Sequence, residues 1–141
     1  MDIRGQWFNE LTSRMVIDVH GNTITGKYHT GVGEAEGEYE LVGWISTPND
    51  NNGTIAFVVA WQNGIQDTDA VTAWSGEGRD IDGTQYMTAT WLITKETLPN
   101  DDWRSTIIGK DYFTRTPQDG KDFKRLSLFR QPSHPFPPAT L

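Results

Sequence analysis

Turn-forming sequences recur at short intervals along this chain, and they limit its fold more than any other feature. The clearest are Gly21-Asn22, Asn63-Gly64 and Asp82-Gly83, because these residue types tolerate the backbone angles of tight turns. Between the turns lie runs rich in β-branched and aromatic residues, which strands prefer. The runs span 6–11, 14–19, 23–30, 38–46, 54–61, 70–77, 84–94 and 104–116. No stretch carries a convincing helical period.

Eight such runs with short polar connections predict an all-β fold, an eight-stranded antiparallel up-and-down β-barrel. A two-sheet sandwich is the main alternative. A chain of 141 residues fits one domain, and an eight-stranded barrel is wide enough to hold one small ligand. We expect the barrel to occupy 1–116 and a proline-rich tail to occupy 117–141. Four prolines in the last ten residues preclude an interior strand there, so we expect the tail to be flexible or to dock on a neighbouring subunit.

Charge and composition exclude several classes of function. The net charge of −7 and the pI of about 4.8 argue against nucleic acid or an anionic membrane as the main partner. The chain has no cysteine, and its three histidines are too scattered in sequence to suggest a metal site. The opening Met1-Asp2-Ile3-Arg4 lacks a hydrophobic signal region. We therefore expect either a cytoplasmic protein or one from which a signal has been removed.

The segment 61–74 begins and ends with a tryptophan, each on a predicted strand. Side chains of a strand alternate between its two faces, so Phe57 shares a face with Trp61, and Thr72 shares one with Trp74. If both faces point into the barrel, two indoles and a hydroxyl meet at one end of it. Hydrophobicity alone leaves open whether they form a packed core or line a pocket.

Polar residues share the inward faces with the apolar ones. The same alternation places Asn9, Tyr28, Thr30, Thr72 and Asp111 on the faces that carry aromatic or aliphatic side chains. A buried carboxylate without partners is very costly, so Asp111 must be hydrogen-bonded or face water. One interpretation is a polar core network that satisfies itself, and the other is a ligand pocket with aromatic walls and a polar floor.

The pocket interpretation predicts a compact ligand that carries both acceptors and donors. Asn9, Ser13 and Tyr28 could donate hydrogen bonds to one ligand oxygen. Asp111 and Thr30 could accept hydrogen bonds from ligand N–H groups. This set of donors and acceptors is the complement of a urea.

These residues belong to motifs that together resemble a known family. In order and spacing, the chain is similar to the avidin/streptavidin family of biotin-binding proteins from Gly5 to about Thr116. Any one motif is weak, but all of them in order are highly specific. The motifs are Gly5-Gln6-Trp7-Phe8-Asn9-Glu10-Leu11 with Ser13, Gly26-Lys27-Tyr28 with Thr30, Val32 and Gly33, Val59-Ala60-Trp61, Thr72-Ala73-Trp74-Ser75-Gly76, Thr90-Trp91-Leu92, and Trp103-Arg104-Ser105-Thr106 followed by Gly109-Lys110-Asp111.

The resemblance implies specific roles for the polar residues. By this likeness, Asn9, Ser13 and Tyr28 would surround the ureido oxygen of biotin. Asp111 and Thr30 would accept hydrogen bonds from the ureido N–H groups. The implied function is high-affinity, non-covalent binding of biotin, with biotin as a ligand, no cofactor and no catalytic activity.

The resemblance also implies the walls of the site and an assembly. Thr72 would approach the thioether sulfur, and Trp61, Trp74 and Trp91 would enclose the bicyclic ring and the valeryl chain. Trp103 matches the tryptophan that tetrameric members lend to a neighbouring subunit, so the likeness implies a homotetramer. It also implies a secreted or periplasmic protein.

The chain departs from the family pattern around the carboxylate end of biotin. Val32 and Glu34 fall in the loop that would meet this carboxylate, and Glu34 stands where streptavidin has an asparagine. Ala70 replaces a serine that would bond the carboxylate, a loss on the order of 1 kcal/mol. Thr12 stands where a glycine is usual in the first turn. We therefore expect the ureido end to be held well and the carboxylate end less firmly.

Two other classes of function remain as alternatives. A lipocalin-like carrier of a small apolar ligand is one, because Gly5-Gln6-Trp7 also fits the G-x-W start of that barrel family. An enzyme is the other, although no pair of residues resembles a nucleophile and its base. A subsidiary hypothesis concerns the 117–141 tail, which could occupy a neighbouring pocket when biotin is absent or bridge oligomers.

Overall fold

The computed structural model describes residues 1–30, 37–46 and 52–117, and within these ranges it forms a closed barrel. Each strand pairs antiparallel with the next, and the last pairs with the first. This confirms the predicted up-and-down barrel, and the two-sheet sandwich is wrong. The strands in the described ranges are β1 (Gly5–Asn9), β2 (Arg14–His20), β3 (Thr23–His29), β4 (Glu38–Ile45), β5 (Asn52–Ala60), β6 (Val71–Ile81), β7 (Thr84–Thr94) and β8 (Thr106–Thr114).

The β6–β7 hairpin shows how turn chemistry sets the register. Asp82 and Gly83 are its two loop residues, with φ angles of 52° and 83°. Two positive φ angles are the signature of a type I′ turn, whose twist matches that of the flanking strands. The Asp80 carboxylate accepts a hydrogen bond from the Gly83 N–H at 2.9 Å. The turn thereby fixes a ladder of eleven pairs that begins with Ile81 opposite Thr84.

β1 ends, and β8 begins, two residues inside the ranges that the sequence predicts. β1 ends at Asn9, because the Asn9 side-chain oxygen accepts the backbone N–H groups of Leu11 at 3.0 Å and Ser13 at 2.8 Å and so turns the chain. Leu11 lies beyond the end of this strand and is 51% exposed. β8 begins at Thr106, because Pro99–Arg104 forms a short 3₁₀ helix ahead of it.

Large apolar side chains fill one half of the barrel. Trp7, Met15, Phe57, Met87 and Phe113 are almost completely buried, and they come from β1, β2, β5, β7 and β8. They lie at alternate positions of their strands, as the predicted alternation requires.

The N-terminal segment covers this packed half. Ile3 is buried, and its carbonyl oxygen accepts the indole N–H of Trp7 at 2.8 Å. The Arg115 guanidinium lies 3.9 Å from the centre of the Trp7 ring and donates to the carbonyl oxygens of Asp2 and Arg4. Because sequential strands run up and down, the β1–β2, β5–β6 and β7–β8 connections lie at the other end, which is where the cavity opens.

Parts of the chain lie outside the described ranges. These are 31–36, 47–51 and 118–141, so all of the predicted tail except Pro117 falls outside them. Within the described residues, no helix is both long and apolar enough to cross a membrane.

Candidate small-molecule binding site

A cavity of about 350 Å³ occupies the half of the barrel opposite the N-terminal segment. This volume lies in the range of small-molecule sites, which is roughly 300–1,000 Å³. Most of the residues predicted as binding residues line it. They are Asn9, Ser13, Tyr28, Thr30, Trp61, Ala70, Thr72, Trp74, Trp91 and Asp111.

Three polar side chains meet at the floor of the cavity. The Asn9 amide nitrogen lies 3.4 Å from the Tyr28 hydroxyl and 3.5 Å from Asp111 Oδ1. Both are at the long limit for hydrogen bonds, so the Asn9 N–H groups are only weakly engaged within the protein. The Asn9 oxygen is held by two backbone N–H groups, which fixes the amide with its nitrogen toward the cavity. A ligand oxygen at the floor would therefore meet a preoriented donor.

Asp111 is only 5% exposed, yet it has several hydrogen-bond donors around it. Its Oδ2 accepts the indole N–H of Trp74 at 2.8 Å. Burial raises the pKa of Asp111, while hydrogen bonds from Trp74, Glu10, Asn9 and Trp91 act in the opposite direction. The two indoles thus hold the carboxyl with its oxygens at the cavity, where it accepts rather than donates hydrogen bonds when ionised.

Tyr28 remains a hydrogen-bond donor under ordinary conditions. Burial, followed by the nearby Asp111 charge, raises its pKa well above the usual tyrosine value. A side-chain hydrogen bond with Ser13 opposes this rise. Ser13 is itself buried, so both hydroxyls are desolvated and held together at the floor.

Glu10, which is not among the predicted binding residues, supports the floor from behind. Its Oε2 accepts the backbone N–H of Tyr112 at 3.0 Å, and its carboxyl is hydrogen-bonded to Asp111. Burial raises the pKa of Glu10 to about 7. Strand register could have found it, because Asn9 pairs with Phe113 and the next step along both strands brings Glu10 beside Tyr112.

Aromatic rings form the walls. Trp74 stacks on Phe57 with ring centres 4.9 Å apart, and Trp61 meets Tyr28 and Tyr39 edge to face at 5.6 and 5.0 Å. The Trp61 indole N–H donates to the Thr72 hydroxyl oxygen at 2.8 Å. Segment 61–74 is therefore both core and pocket, since each ring has one side against the packed core and another at the cavity.

Trp91 completes the walls because of a glycine on the next strand. Gly109 is its register partner on β8, and a Cβ atom at Gly109 would lie 2.1 Å from the Trp91 ring. Such a distance is impossible, so the ring occupies space that only a glycine leaves free. Gly109 therefore determines where this wall stands.

The β5–β6 connection shapes the mouth through its own hydrogen bonds. Asp67 Oδ1 accepts the backbone N–H groups of Asn63 and Gly64, each at 2.9 Å. The Trp61 N–H donates to the Ala70 carbonyl oxygen at 3.1 Å, which closes the base of the loop. The Asn63-Gly64 signal thus correctly marked a turn, but within a longer loop rather than a two-residue hairpin.

Five further lining residues were not predicted as binding residues. Thr68 and Asp69 come from the β5–β6 loop, and Leu11 comes from the β1–β2 connection. Loop closure brings these three to the mouth, and strand alternation does not apply to loops. Ile93 and Lys95 continue the inward alternation of β7 beyond Trp91, so the sequence did contain the signal for both.

The remaining three predicted binding residues are Trp103, Val32 and Glu34. Trp103 lies in the 3₁₀ helix, 69% exposed, with the Arg104 guanidinium 6.0 Å from its ring centre, and it does not line the cavity of its own chain. Val32 and Glu34 lie outside the described residues. Within the described ranges, no group of histidine or acidic side chains is arranged to hold a metal ion.

Comparison with known proteins identifies the family of this chain. A sequence model of the avidin family matches residues 1–116. Avidin from Gallus gallus is 28% identical over 121 residues, which cover 80% of this chain and 77% of that protein. Fibropellin-1 from Strongylocentrotus purpuratus is 28% identical over 122 residues, covering 83% of this chain but 11% of that protein. The family match spans most of the sequence, and the chain belongs to the avidin family.

Proposed function

We propose that this protein binds biotin non-covalently and with high affinity in the barrel cavity. The observation that carries the proposal is the juxtaposition of Asn9, Tyr28 and Asp111 at a buried floor beneath tryptophan walls. Membership of the avidin family supports the same ligand.

The floor suits the ureido group of biotin. Asn9, Ser13 and Tyr28 donate to the ureido oxygen, and Asp111 and Thr30 accept from its N–H groups. All five line one cavity, and four of them are buried, so these hydrogen bonds form away from water. A site built from buried polar groups rejects a ligand that leaves those groups unpaired.

The walls suit the fused rings and the aliphatic chain. Trp61, Trp74 and Trp91 enclose the ring system, and burying apolar ligand surface contributes roughly 25 cal/mol per Å². The Thr72 oxygen already accepts from Trp61, which leaves its hydroxyl hydrogen available to the ligand sulfur. We assign Val32 and Glu34 to the carboxylate end by family likeness alone.

A lipocalin-like carrier of an apolar ligand is not favoured. An apolar ligand would bury Asn9, Tyr28 and Asp111 without replacing their hydrogen bonds to water, a cost of about 1–3 kcal/mol for each group. The match to the avidin family also supports a binding protein of that type over a lipocalin-like one. We therefore propose a binding protein with biotin as ligand, and neither a lipid carrier nor an enzyme.

We further propose a homotetramer, in which Trp103 reaches the site of a neighbouring subunit. The outer face of β4 to β8 supports assembly, because it exposes a continuous set of apolar side chains that water would disfavour. The set comprises Val42, Trp44, Val58, Leu92 and Ile108. Trp103 is highly exposed and does not line the cavity of its own chain, which suits a residue that acts in trans. By family likeness the tetramer is secreted or periplasmic.

Tryptophan fluorescence tests the proposed ligand, because three cavity walls are indoles. Titration of the wild-type protein with biotin should change the emission at sub-micromolar ligand and saturate. Asp111→Ala should weaken binding by about 2–3 kcal/mol, since a ureido N–H then loses a charged acceptor. Asp18→Ala, an exposed carboxylate on the outside of β2, is the control and should bind as wild type. Unchanged fluorescence of the wild type at millimolar biotin would refute the proposal.

A further inference from the structure

Lys95 continues the inward-facing row of β7 at the mouth of the cavity. Trp91, Ile93 and Lys95 occupy alternate positions, and all three line the cavity. The strand pairing extends past the last residue of β7, because the Lys95 N–H donates to the Ser105 carbonyl oxygen at 2.9 Å. The Lys95 side chain is therefore placed by strand geometry.

The register of β6 and β7 places Lys95 opposite Ala70. Thr72 pairs with Ile93 and Val71 with Thr94, so the next step brings Ala70 across from Lys95. Ala70 also lines the cavity, and its methyl group supplies neither a hydrogen-bond donor nor bulk. Ala70, which stands where the family pattern has a carboxylate-binding serine, thus supplies no side-chain hydrogen-bond donor. Its cross-strand neighbour, Lys95, carries a positive charge.

The charged side chains that line the cavity lie at different depths, at the floor and at the mouth. Among the described lining residues, the charged side chains are Asp69, Lys95 and Asp111. Asp111 is at the buried floor, where Trp74 and Asn9 engage its oxygens, whereas Lys95 is exposed at the mouth. A ligand whose neutral end lies on the floor would present its other end to Lys95 and Asp69.

We propose that Lys95 binds the carboxylate of the biotin valeryl chain. The site therefore favours biotin with an ionised carboxylate over neutral derivatives such as esters. The inference rests on the proposed function, since the ureido group must occupy the floor for the carboxylate to reach the mouth. Lysine suits the role because its ammonium carries three donors on a flexible stem, and Ala70 leaves room beside it. The interaction is at an exposed rim, so salt screens it.

Lys95→Met tests the proposal, because it keeps the aliphatic stem and removes the charge. Biotin and biotin methyl ester, which lacks the negative charge, are titrated into wild-type and variant protein at low and high salt. The variant should bind biotin roughly 3- to 10-fold more weakly at low salt, as expected for a charge pair at an exposed rim, and bind the ester as wild type does. The difference should shrink at high salt. Lys27→Met, an outward-facing lysine that pairs with Glu40, is the matched control and should change neither affinity.

The outcomes separate this inference from the proposed function. If wild-type protein binds both ligands and Lys95→Met weakens both equally, or neither, then Lys95 does not recognise the carboxylate and biotin binding still stands. An unchanged affinity for biotin would also result if Lys95 pairs with Asp69 instead, and it would overturn the inference. If the wild type binds neither biotin nor the ester, the proposed function fails, and this inference fails with it.

Discussion

At the scale of single residues, the floor of the cavity combines two carboxyl groups in hydrogen-bond contact. Glu10 and Asp111 are both largely removed from water, and burial raises the pKa of each. Two neighbouring carboxylates repel one another, so the pair has its lowest free energy when one proton is shared between the two carboxyl groups. Glu10, which also accepts the Tyr112 N–H, is the member placed away from the proposed ligand.

Glu10 should make stability depend on pH. Its pKa is about 7 in the folded chain, against 4.5 for an ordinary glutamate, so the folded state binds this proton more tightly than the unfolded state does. Its contribution is fully present below pH 4.5 and is lost as the pH rises through about 7. Glu10→Gln keeps a donor and cannot ionise. Between pH 4.5 and 8, wild type should lose stability relative to this variant in urea unfolding, whereas a constant difference would contradict the assignment.

Thr12 should be a point of backbone strain. Its φ of 65° is in the left-handed region, which β-branched residues rarely adopt. Thr12→Gly should raise the free energy of unfolding by about 1 kcal/mol, because relief of strain exceeds the added entropy of the unfolded glycine. Thr12→Ala, which retains a Cβ atom, serves as the control and should give little gain. Equal stability of the glycine variant and wild type would show that the turn is not strained.

Single residues also show what sequence reasoning could reach. Asp111 and Trp74 were predicted to face inward because alternation in a strand is fixed by backbone geometry. The hydrogen bond between Trp61 and Thr72 and the contact between Glu10 and Asp111 were not predicted. Both depend on rotamers, and the second also depends on the pairing of β1 with β8, which local sequence does not specify.

At the scale of elements, β7 and β8 together position the Trp91 wall. Its register partner Gly109 leaves the space that the indole fills, so the wall depends on two strands rather than one. The strands themselves followed from periodicity and turn residues. The ends of the strands did not follow from these signals. β1 ends where the Asn9 side chain accepts backbone hydrogen bonds, and β8 begins only after a 3₁₀ helix.

Gly109→Ala should displace the Trp91 ring. The added Cβ would lie 2.1 Å from the indole, so we expect a loss of about 1–3 kcal/mol in stability and weaker biotin binding. Trp91→Leu removes the ring and provides the comparison. In the Trp91→Leu background, Gly109→Ala should cost clearly less stability, a coupling that urea unfolding of the four proteins measures. Additive losses would show that the glycine serves some other contact.

At the scale of the whole molecule, the barrel divides into a packed half and a binding half. The N-terminal segment and Arg115 cover the packed half, while the cavity opens among the connections at the other end. The fully buried apolar side chains and the cavity therefore lie mainly in different halves of one closed sheet, and the tryptophan walls contact both. The barrel and the inward polar residues were predictable from the sequence, because both follow from period-two alternation. The lining of the cavity mouth was not predictable in this way, because loops such as 61–70 close through side-chain hydrogen bonds.

Assembly should depend on the apolar outer face. Leu92→Glu places a charge on that face and should reduce the mass measured by analytical ultracentrifugation. Val16→Glu on β2, which lies outside the β4–β8 face, is the matched control and should leave the mass unchanged. If Trp103 completes a neighbouring site, the smaller species should also release biotin faster. A monomeric wild type, or an unaltered mass for Leu92→Glu, would contradict this account.

The central claim is that the cavity of each chain takes one biotin through its ureido group. Calorimetric titration of the wild-type protein with biotin measures this most directly, because stoichiometry and affinity come from one experiment. We predict saturation at one biotin per chain with a sub-micromolar dissociation constant, and a much weaker interaction for Asp111→Ala. Absence of binding at millimolar biotin, or an affinity that Asp111→Ala leaves unchanged, would contradict the claim.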